Sequence, residues 1–231
     1  MICFAHRGAS ALAPANSKEA FSLARQKGAS SYELDVHLTQ DGQLLVHHDY
    51  SLKAPSGQQI LIKNLTADQA QQIPLPAKDA EQPPVYAPLL EEAIALVKDG
   101  LDLLNIELKN DENVYPGIEE ILWQCLQGQG ADLLPHILCS SFDYPTLQRL
   151  HALAPQLKIG LLTRSFDPAL LDPIQACSVH MNQTRITAQI IQTCHEHKRR
   201  VFVYTVNEKA DKERLIRLGA DGIFTDDPAL F

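Results

Sequence analysis

No run of about 18 apolar residues occurs anywhere in the 231-residue chain, which excludes an ordinary membrane-spanning helix. The N-terminus runs straight into a strand pattern with no charged n-region before it, so no secretory signal is expected. Cysteine is sparse: Cys3, Cys125, Cys139, Cys177 and Cys194 are an odd set with no C-x-x-C pair. That spacing suggests neither a disulfide framework nor a zinc knuckle. Cys3, Cys139 and Cys177 sit in apolar runs and read as small core residues. Positive charge is also in short supply, with 20 Lys and Arg against 28 Asp and Glu and a formal net charge of −8. Binding to a nucleic-acid backbone depends on clustered Lys and Arg. The one dense cluster, Lys198-Arg199-Arg200, falls where a helix should end, a position the helix dipole favours for cations. A nucleic-acid partner is therefore not expected. What remains is a cytoplasmic enzyme of ordinary globular composition, 45% hydrophobic and 21% charged.

Short apolar strands alternate with longer amphipathic segments almost to the C-terminus. The strands read "ICFAH", "YELDVHL", "LLVHH", "LLNIELK", "HILCSS", "KIGLLT", "CSVHMN", "VFVYTV" and "GIFTD". Helical patterns fall at residues 17–27, 89–98, 115–127, 144–153, 188–197 and 208–218, with a shorter, Pro-broken link at 162–176. Such β-α alternation implies a parallel sheet with helices outside. "LLVHH" follows "YELDVHL" across the Gly-containing turn "TQDGQ", so these two form one bent strand or a hairpin. Counted as one unit, they leave eight β-α units, which fits a TIM (β/α)8 barrel in a single domain spanning 1–231. A doubly wound open sheet would more often carry a Gly-rich phosphate loop after its first strand, and "HRGAS" is not G-x-G-x-x-G. Residues 53–87, rich in Gln and Pro, break the rhythm and read as a small insertion after the second strand, over one mouth of the barrel. A short helix is expected after Asn64.

A TIM barrel builds its active site at the C-terminal ends of its strands. Glu33 and Asp35 are two apart on one strand, so their side chains share a face, about 6.5–7 Å apart. Glu107 in "NIELK" has apolar neighbours, Ile106 and Leu108, that point the other way. Three inward carboxylates would repel one another and resist desolvation. A divalent cation removes both problems, and an all-oxygen set suits Mg²⁺ or Ca²⁺ better than Zn²⁺. Taken singly, each acid is better explained by pairing with a rim Arg or Lys. Taken together on successive strands, they point to a metal.

Most of the nine histidines need no functional reading; His37 and His180, near strand ends, stay open. His6 and His48 close apolar strands beside the acids, where two imidazoles can act as acid and base near neutral pH. The bland alternative is a pair of hydrogen-bonded core histidines. Arg7 and Lys109 bring positive charge to the same cluster, either as charge balance or as a clamp on a phosphate. A hard metal, two histidines, Arg and Lys suit phosphoryl-oxygen chemistry more than carbonyl or hydride chemistry.

These residues occur in "AHRGAS", "PANS", "YELDVHLTQDGQLLVHHD", "NIELK", "SSF", "YTVN" and "GADGIFTDDP", in that order. With them the chain resembles the glycerophosphodiester phosphodiesterases over nearly its whole length, in the short form of the cytoplasmic bacterial members. The resemblance implies a TIM barrel with a small insertion after the second strand. It implies that His6 and His48 are the catalytic acid–base pair, that Glu33, Asp35 and Glu107 ligate the metal, and that Arg7 and Lys109 contact phosphate. It implies hydrolysis of small glycerophosphodiesters, such as glycerophosphocholine and glycerophosphoethanolamine, to glycerol 3-phosphate and an alcohol, with the glycerol 2-hydroxyl attacking phosphorus first. Three positions depart from the family pattern: Ala15 where Glu is usual, Tyr204 where Trp is frequent, and Leu89 where Thr is usual. Two other readings are weighed: a related phosphodiesterase acting on lysophospholipids or inositol phospholipids, and a catalytically silent barrel used as a binding module. Residues 53–87 show no clear interfacial helix for the first. The second leaves no physical reason to keep the acids and histidines.

Among softer candidates, Phe142 offers an apolar face to the substrate or simply packs the rim. Asn16 begins an N-x-x-E capping pattern for the first helix. Asn207 reads as an N-cap before "EKADKERLIRL". Asp226 reads as a structural close to the last strand.

Overall fold

The alternating strands of the sequence become one closed sheet in the computed structural model, which describes residues 1–79, 81, 83–111 and 114–230. Its strands are β1 (Ile2–His6), β2 (Ser31–Leu38), β3 (Leu44–Val46), β6 (Leu103–Leu108), β7 (Ile137–Ser141), β8 (Lys158–Leu162), β9 (Ser178–Asn182), β10 (Arg200–Tyr204) and β11 (Gly222–Thr225). Parallel pairing runs β1-β2-β6-β7-β8-β9-β10-β11 and closes where β11 returns to β1. That is the eight-stranded barrel expected from the β-α count. The "LLVHH" ambiguity resolves as a hairpin: β3 pairs antiparallel with β2, Val36 opposite Val46, and stops at Val46. His47 and His48 therefore lie in the loop beyond the strand.

The helices are α1 (Lys18–Gln26), α3 (Leu90–Val97), α4 (Ile118–Gly128), α5 (Tyr144–Leu153), α6 (Ala188–Glu196) and α7 (Lys209–Leu218). Between β8 and β9 the Pro-broken link holds only two short 3-10 turns. Outward strand residues such as Leu34, Ile106, Cys139, Val179, Val201 and Ile223 join the apolar helix faces in the main core. Burial of this apolar shell is the dominant stabilising term, about 25 cal/mol per Å² removed from water.

Inward residues follow the other parity and form layers. At the base Phe4, Leu103, Leu138, Phe202 and Phe224 pack together. Above them the lumen is polar: Asn105 donates to Ser140 Oγ at 3.0 Å, and Ser178 Oγ pairs with His180 Nε2 at 2.9 Å. His180 fits because β8 carries Gly160 opposite, where a Cβ would come within 2.6 Å of the His180 ring. The charged pair of β2 thus faces the lumen toward its open end, while Leu34 and Val36 face the helices.

Residues 53–87 lie between β3 and α3. β4 (Ser51–Lys53) and β5 (Gln59–Leu61) form a hairpin, and the short helix after Asn64 is α2 (Ala67–Ala70), with a Thr66/Gln69 capping box. Leu52, Ile62, Leu65, Ala70, Ile73, Leu75 and Ala87 pack with Leu45 of β3 into a cluster separate from the main core.

Candidate active site

A cavity of about 570 Å³ opens at the C-terminal ends of the strands, lined by His6, Arg7, Glu33, His48, Glu107, Lys109, Phe142 and Tyr204 among others. The candidate catalytic, phosphate-contacting and metal-ligating residues of the sequence therefore converge there except Asp35, which is fully buried; Asn16, Asn207 and Asp226 do not line the cavity.

Three neighbouring strand positions bring the carboxylates together. His6 stands beside Glu33 in the β1–β2 register, and Asp35 beside Glu107 in the β2–β6 register. Ligand oxygens of Glu33, Asp35 and Glu107 lie within 4.8 Å of one another. Each carboxylate has one oxygen engaged. Glu33 Oε2 accepts the Arg7 N–H at 3.0 Å, Asp35 Oδ2 accepts the Asn16 amide at 2.9 Å, and Glu107 Oε1 accepts Lys109 Nζ at 2.9 Å. Asp35 Oδ1, buried, has no hydrogen-bond partner. Burial and the negative charge of Asp35 push Glu33 well above the usual carboxylate range and Glu107 up to about 7. Burial would raise Asp35 too, but Arg7 and Lys109 outweigh it and hold Asp35 low. An oxygen-only cluster with an orphaned lone pair and two carboxyls reluctant to ionise fits a hard divalent cation.

The cations stand against the same oxygens. Arg7 Nε lies 3.2 Å from Asp35 Oδ2, and Lys109 Nζ 3.7 Å from Asp35 Oδ1. Local backbone places Arg7: its φ is +58°, and Gly8 follows at +81°. A Cβ on Gly8 would come within 2.5 Å of the Ala20 backbone, so α1 can approach the loop only because residue 8 is glycine.

Each candidate histidine has a carboxylate behind it. His6 Nδ1 lies 2.6 Å from Asp226 Oδ1, and His48 Nδ1 lies 2.7 Å from Asp49 Oδ1. His6 Nε2 is left facing Glu33, 3.9 Å away. Asp226 is itself held by Ser10 Oγ at 3.0 Å and by Asn207 Nδ2 at 2.7 Å, and it stays far below the ordinary aspartate range: burial opposes this, but His6, Asn207 and Ser10 outweigh burial. Burial is the largest cause lowering His48, with Arg7 and Lys109 adding to it. His37, left open by the sequence, is a scaffold for this loop. Its ring lies against Tyr50 and Tyr115, its Nδ1 pairs with the Tyr115 hydroxyl at 2.9 Å, and its Nε2 reaches the His48 carbonyl at 3.1 Å.

Three expectations are corrected by this geometry. Asn16 is not the N-cap of α1; Ser17 is, accepting the Ala20 N–H at 3.0 Å, while Asn16 takes φ +60° and turns its amide to Asp35. Asn207 does not cap α7 either: Glu208 holds that position, and Asn207 grips Asp226 with both ends of its amide. Asp226 does more than close the last strand, since it backs His6. Phe142 lines the cavity, with Tyr204 edge-on to it at 6.4 Å. Arg164 and Arg185, which no sequence argument singled out, line the wall beyond it.

A barrel whose open end gathers an acidic cation cluster, two carboxylate-backed histidines and a basic pair has the makings of a phosphoric diester hydrolase. Comparison with known proteins narrows this class. The glycerophosphoryl diester phosphodiesterase family model matches residues 6–230. A glycerophosphodiester phosphodiesterase of Caldanaerobacter subterraneus is 34% identical over 98% of this chain and 94% of its own, and one of Bacillus altitudinis is 35% identical over 97% and 94%. A solved phosphodiesterase of Oleispira antarctica, in complex with the product sn-glycerol-3-phosphate, superposes with a TM-score of 0.88 at 26% identity, covering 100% of this chain and 94% of the other. The chain belongs to the glycerophosphoryl diester phosphodiesterase family, and it is a phosphoric diester hydrolase. No helix among the described residues is long and apolar enough to cross a membrane.

Proposed function

We propose that the protein hydrolyses small, water-soluble glycerophosphodiesters, glycerophosphocholine and glycerophosphoethanolamine among them, to glycerol 3-phosphate and an alcohol. The observation that carries this reading is the convergence of Glu33, Asp35 and Glu107 on one point, with His6, His48, Arg7 and Lys109 around the same cavity. The three carboxylates would hold one divalent cation, Mg²⁺ or Ca²⁺, which when bound supplies positive charge to the phosphoryl oxygens.

The protein's own groups divide the remaining work. Arg7 and Lys109 are already oriented by Asp35 and Glu107 and receive the non-bridging oxygens of the diester, stabilising charge that grows in the transition state. One imidazole of the His6/His48 pair takes the proton of the glycerol 2-hydroxyl as that oxygen attacks phosphorus. The other gives its proton to the departing alkoxide. A cyclic glycerol phosphate results, and the two exchange roles as water opens it. Asp226 and Asp49 fix the rings by their Nδ1 atoms, leaving Nε2 to carry the proton. Glycerol is required on this route because it brings the nucleophile. Phe142 offers the substrate an apolar wall.

The test is release of glycerol 3-phosphate from glycerophosphocholine by purified protein, with EDTA and then with Mg²⁺ or Ca²⁺ restored. Turnover lost to EDTA and recovered with the ion is the expected result. No release under any condition overturns the reading.

A further inference from the structure

Among the described residues, two arginines of the cavity have no partner of opposite charge. Arg7, Arg25, Arg149, Arg199, Arg214 and Arg217 each lie within 4.0 Å of a carboxylate. Among the described residues, Arg164 and Arg185 form no ion pair; the contacts they make are a ring and a carbonyl. The Arg164 guanidinium lies over the Phe142 ring, 4.3 Å from its centre, and Arg185 Nη1 donates to the Arg164 carbonyl at 3.2 Å. Stacking on Phe142 fixes the plane of one guanidinium while leaving its N–H edge open.

These cations share the cavity with the reacting groups but stand apart from Arg7 and Lys109, on the loops after β8 and β9. Tyr204 lines the same cavity and meets the Phe142 ring edge-on at 6.4 Å. Both side chains are exposed, and two touching arginines with no ion pair among the described residues give this edge of the cavity, in a chain of net charge −8, a local positive charge that attracts an anion at low ionic strength. Glycerol is neutral, and the reacting phosphate is claimed by Arg7 and Lys109. Arg164 and Arg185 therefore match a second anion on the substrate.

We propose that Arg164 and Arg185 form an anion subsite for a phosphate or carboxylate carried by the alcohol half of the diester. The proposal rests on the phosphodiesterase reading above and names the substrate class within it. A doubly anionic diester spans the cavity, its reacting phosphorus at Arg7 and Lys109 and its distal charge beyond Phe142.

The test compares three diesters that differ at one end: glycerophosphoglycerol, the same molecule phosphorylated on its far primary hydroxyl, and its glycerate analogue with a carboxylate there. Wild-type kcat/KM at low ionic strength is expected to favour an anionic form over the neutral one by about tenfold or more, chiefly through KM, and to lose that preference as salt rises. The ratio is expected to collapse toward one in Arg164→Ala/Arg185→Ala and to survive largely in Arg164→Lys/Arg185→Lys. The more favoured of the two anionic diesters identifies the anion. A wild-type ratio near one, or the same ratio in the double alanine variant, overturns the subsite while leaving the phosphodiesterase reading standing. Failure of the wild-type protein to cleave all three overturns both.

Discussion

Asp226, at the end of the last barrel strand, places Oδ1 2.6 Å from the Nδ1 of His6, at the end of the first. This contact fixes the ring's tautomer and orientation. Asp226→Asn is expected to lower kcat by about 10–10³-fold and to move the pH profile of kcat. A thermal melt close to that of the wild type would accompany it. Unchanged kcat and pH profile would remove Asp226 from the proton-transfer machinery.

Removal of either imidazole should cost more than removal of its support. His6→Ala and His48→Ala are each expected to reduce kcat by about 10²–10⁴-fold while the far-ultraviolet circular dichroism stays native. Steady-state kinetics on glycerophosphocholine checks this. Near-wild-type turnover in one variant would leave that histidine outside the acid–base pair.

The carboxylate cluster predicts a binding isotherm as well as an activity. Titration of metal-stripped protein with Mg²⁺ or Ca²⁺ in a calorimeter should show one site, and Glu33→Ala should weaken it. An ion at about 100 times its Kd adds about 2.7 kcal/mol of stability, so the wild-type melting temperature should rise with the ion and that of the variant should rise less. Identical affinities would place the ion elsewhere.

His180 gives a pH dependence of stability. Burial among Phe202, Phe224 and Ser178 lowers its pKa to about 3 from 6.5. The folded protein thus holds His180 neutral, and the unfolded chain takes up its proton first. The stabilising effect is full above pH 6.5 and is lost as pH falls toward 3. His180→Gln is expected to flatten the slope of unfolding free energy against pH between these limits, as measured by urea denaturation. An unchanged slope would assign the acid sensitivity to other groups.

The barrel was readable from the alternation of short apolar strands with amphipathic helices, because hydrophobic periodicity is a local signal that the closed sheet obeys. Glu33 and Asp35 were readable because spacing two on a strand sets a shared face before any tertiary contact forms, and Glu107 because its apolar neighbours Ile106 and Leu108 point the other way. The misreadings came where local and distant partners compete. Asn16 opens the N-x-x-E pattern, but Ser17 next to it is an equally good N-cap type and takes the cap, while the Asn16 amide goes to Asp35. Asp226 reaches His6 across 220 residues, a proximity created by the β1–β11 pairing and by nothing near either residue in the chain. Arg164 and Arg185 lie in loops without a repeating pattern, so the stacking of Arg164 on Phe142 and the bond from Arg185 to the Arg164 carbonyl carried no signal in the sequence.

His48 stands in the loop between β3 and the β4–β5 hairpin, whose apolar side chains consolidate with Leu45 in their own small cluster rather than in the main core. Its opposite number, His6, belongs to the barrel wall. Regions with few buried apolar contacts open before the global structure does. Heat should therefore dismantle the workshop before the building: catalytic half-life on warming ends while the ellipticity of the strands and helices is still intact, and cooling from that stage restores turnover.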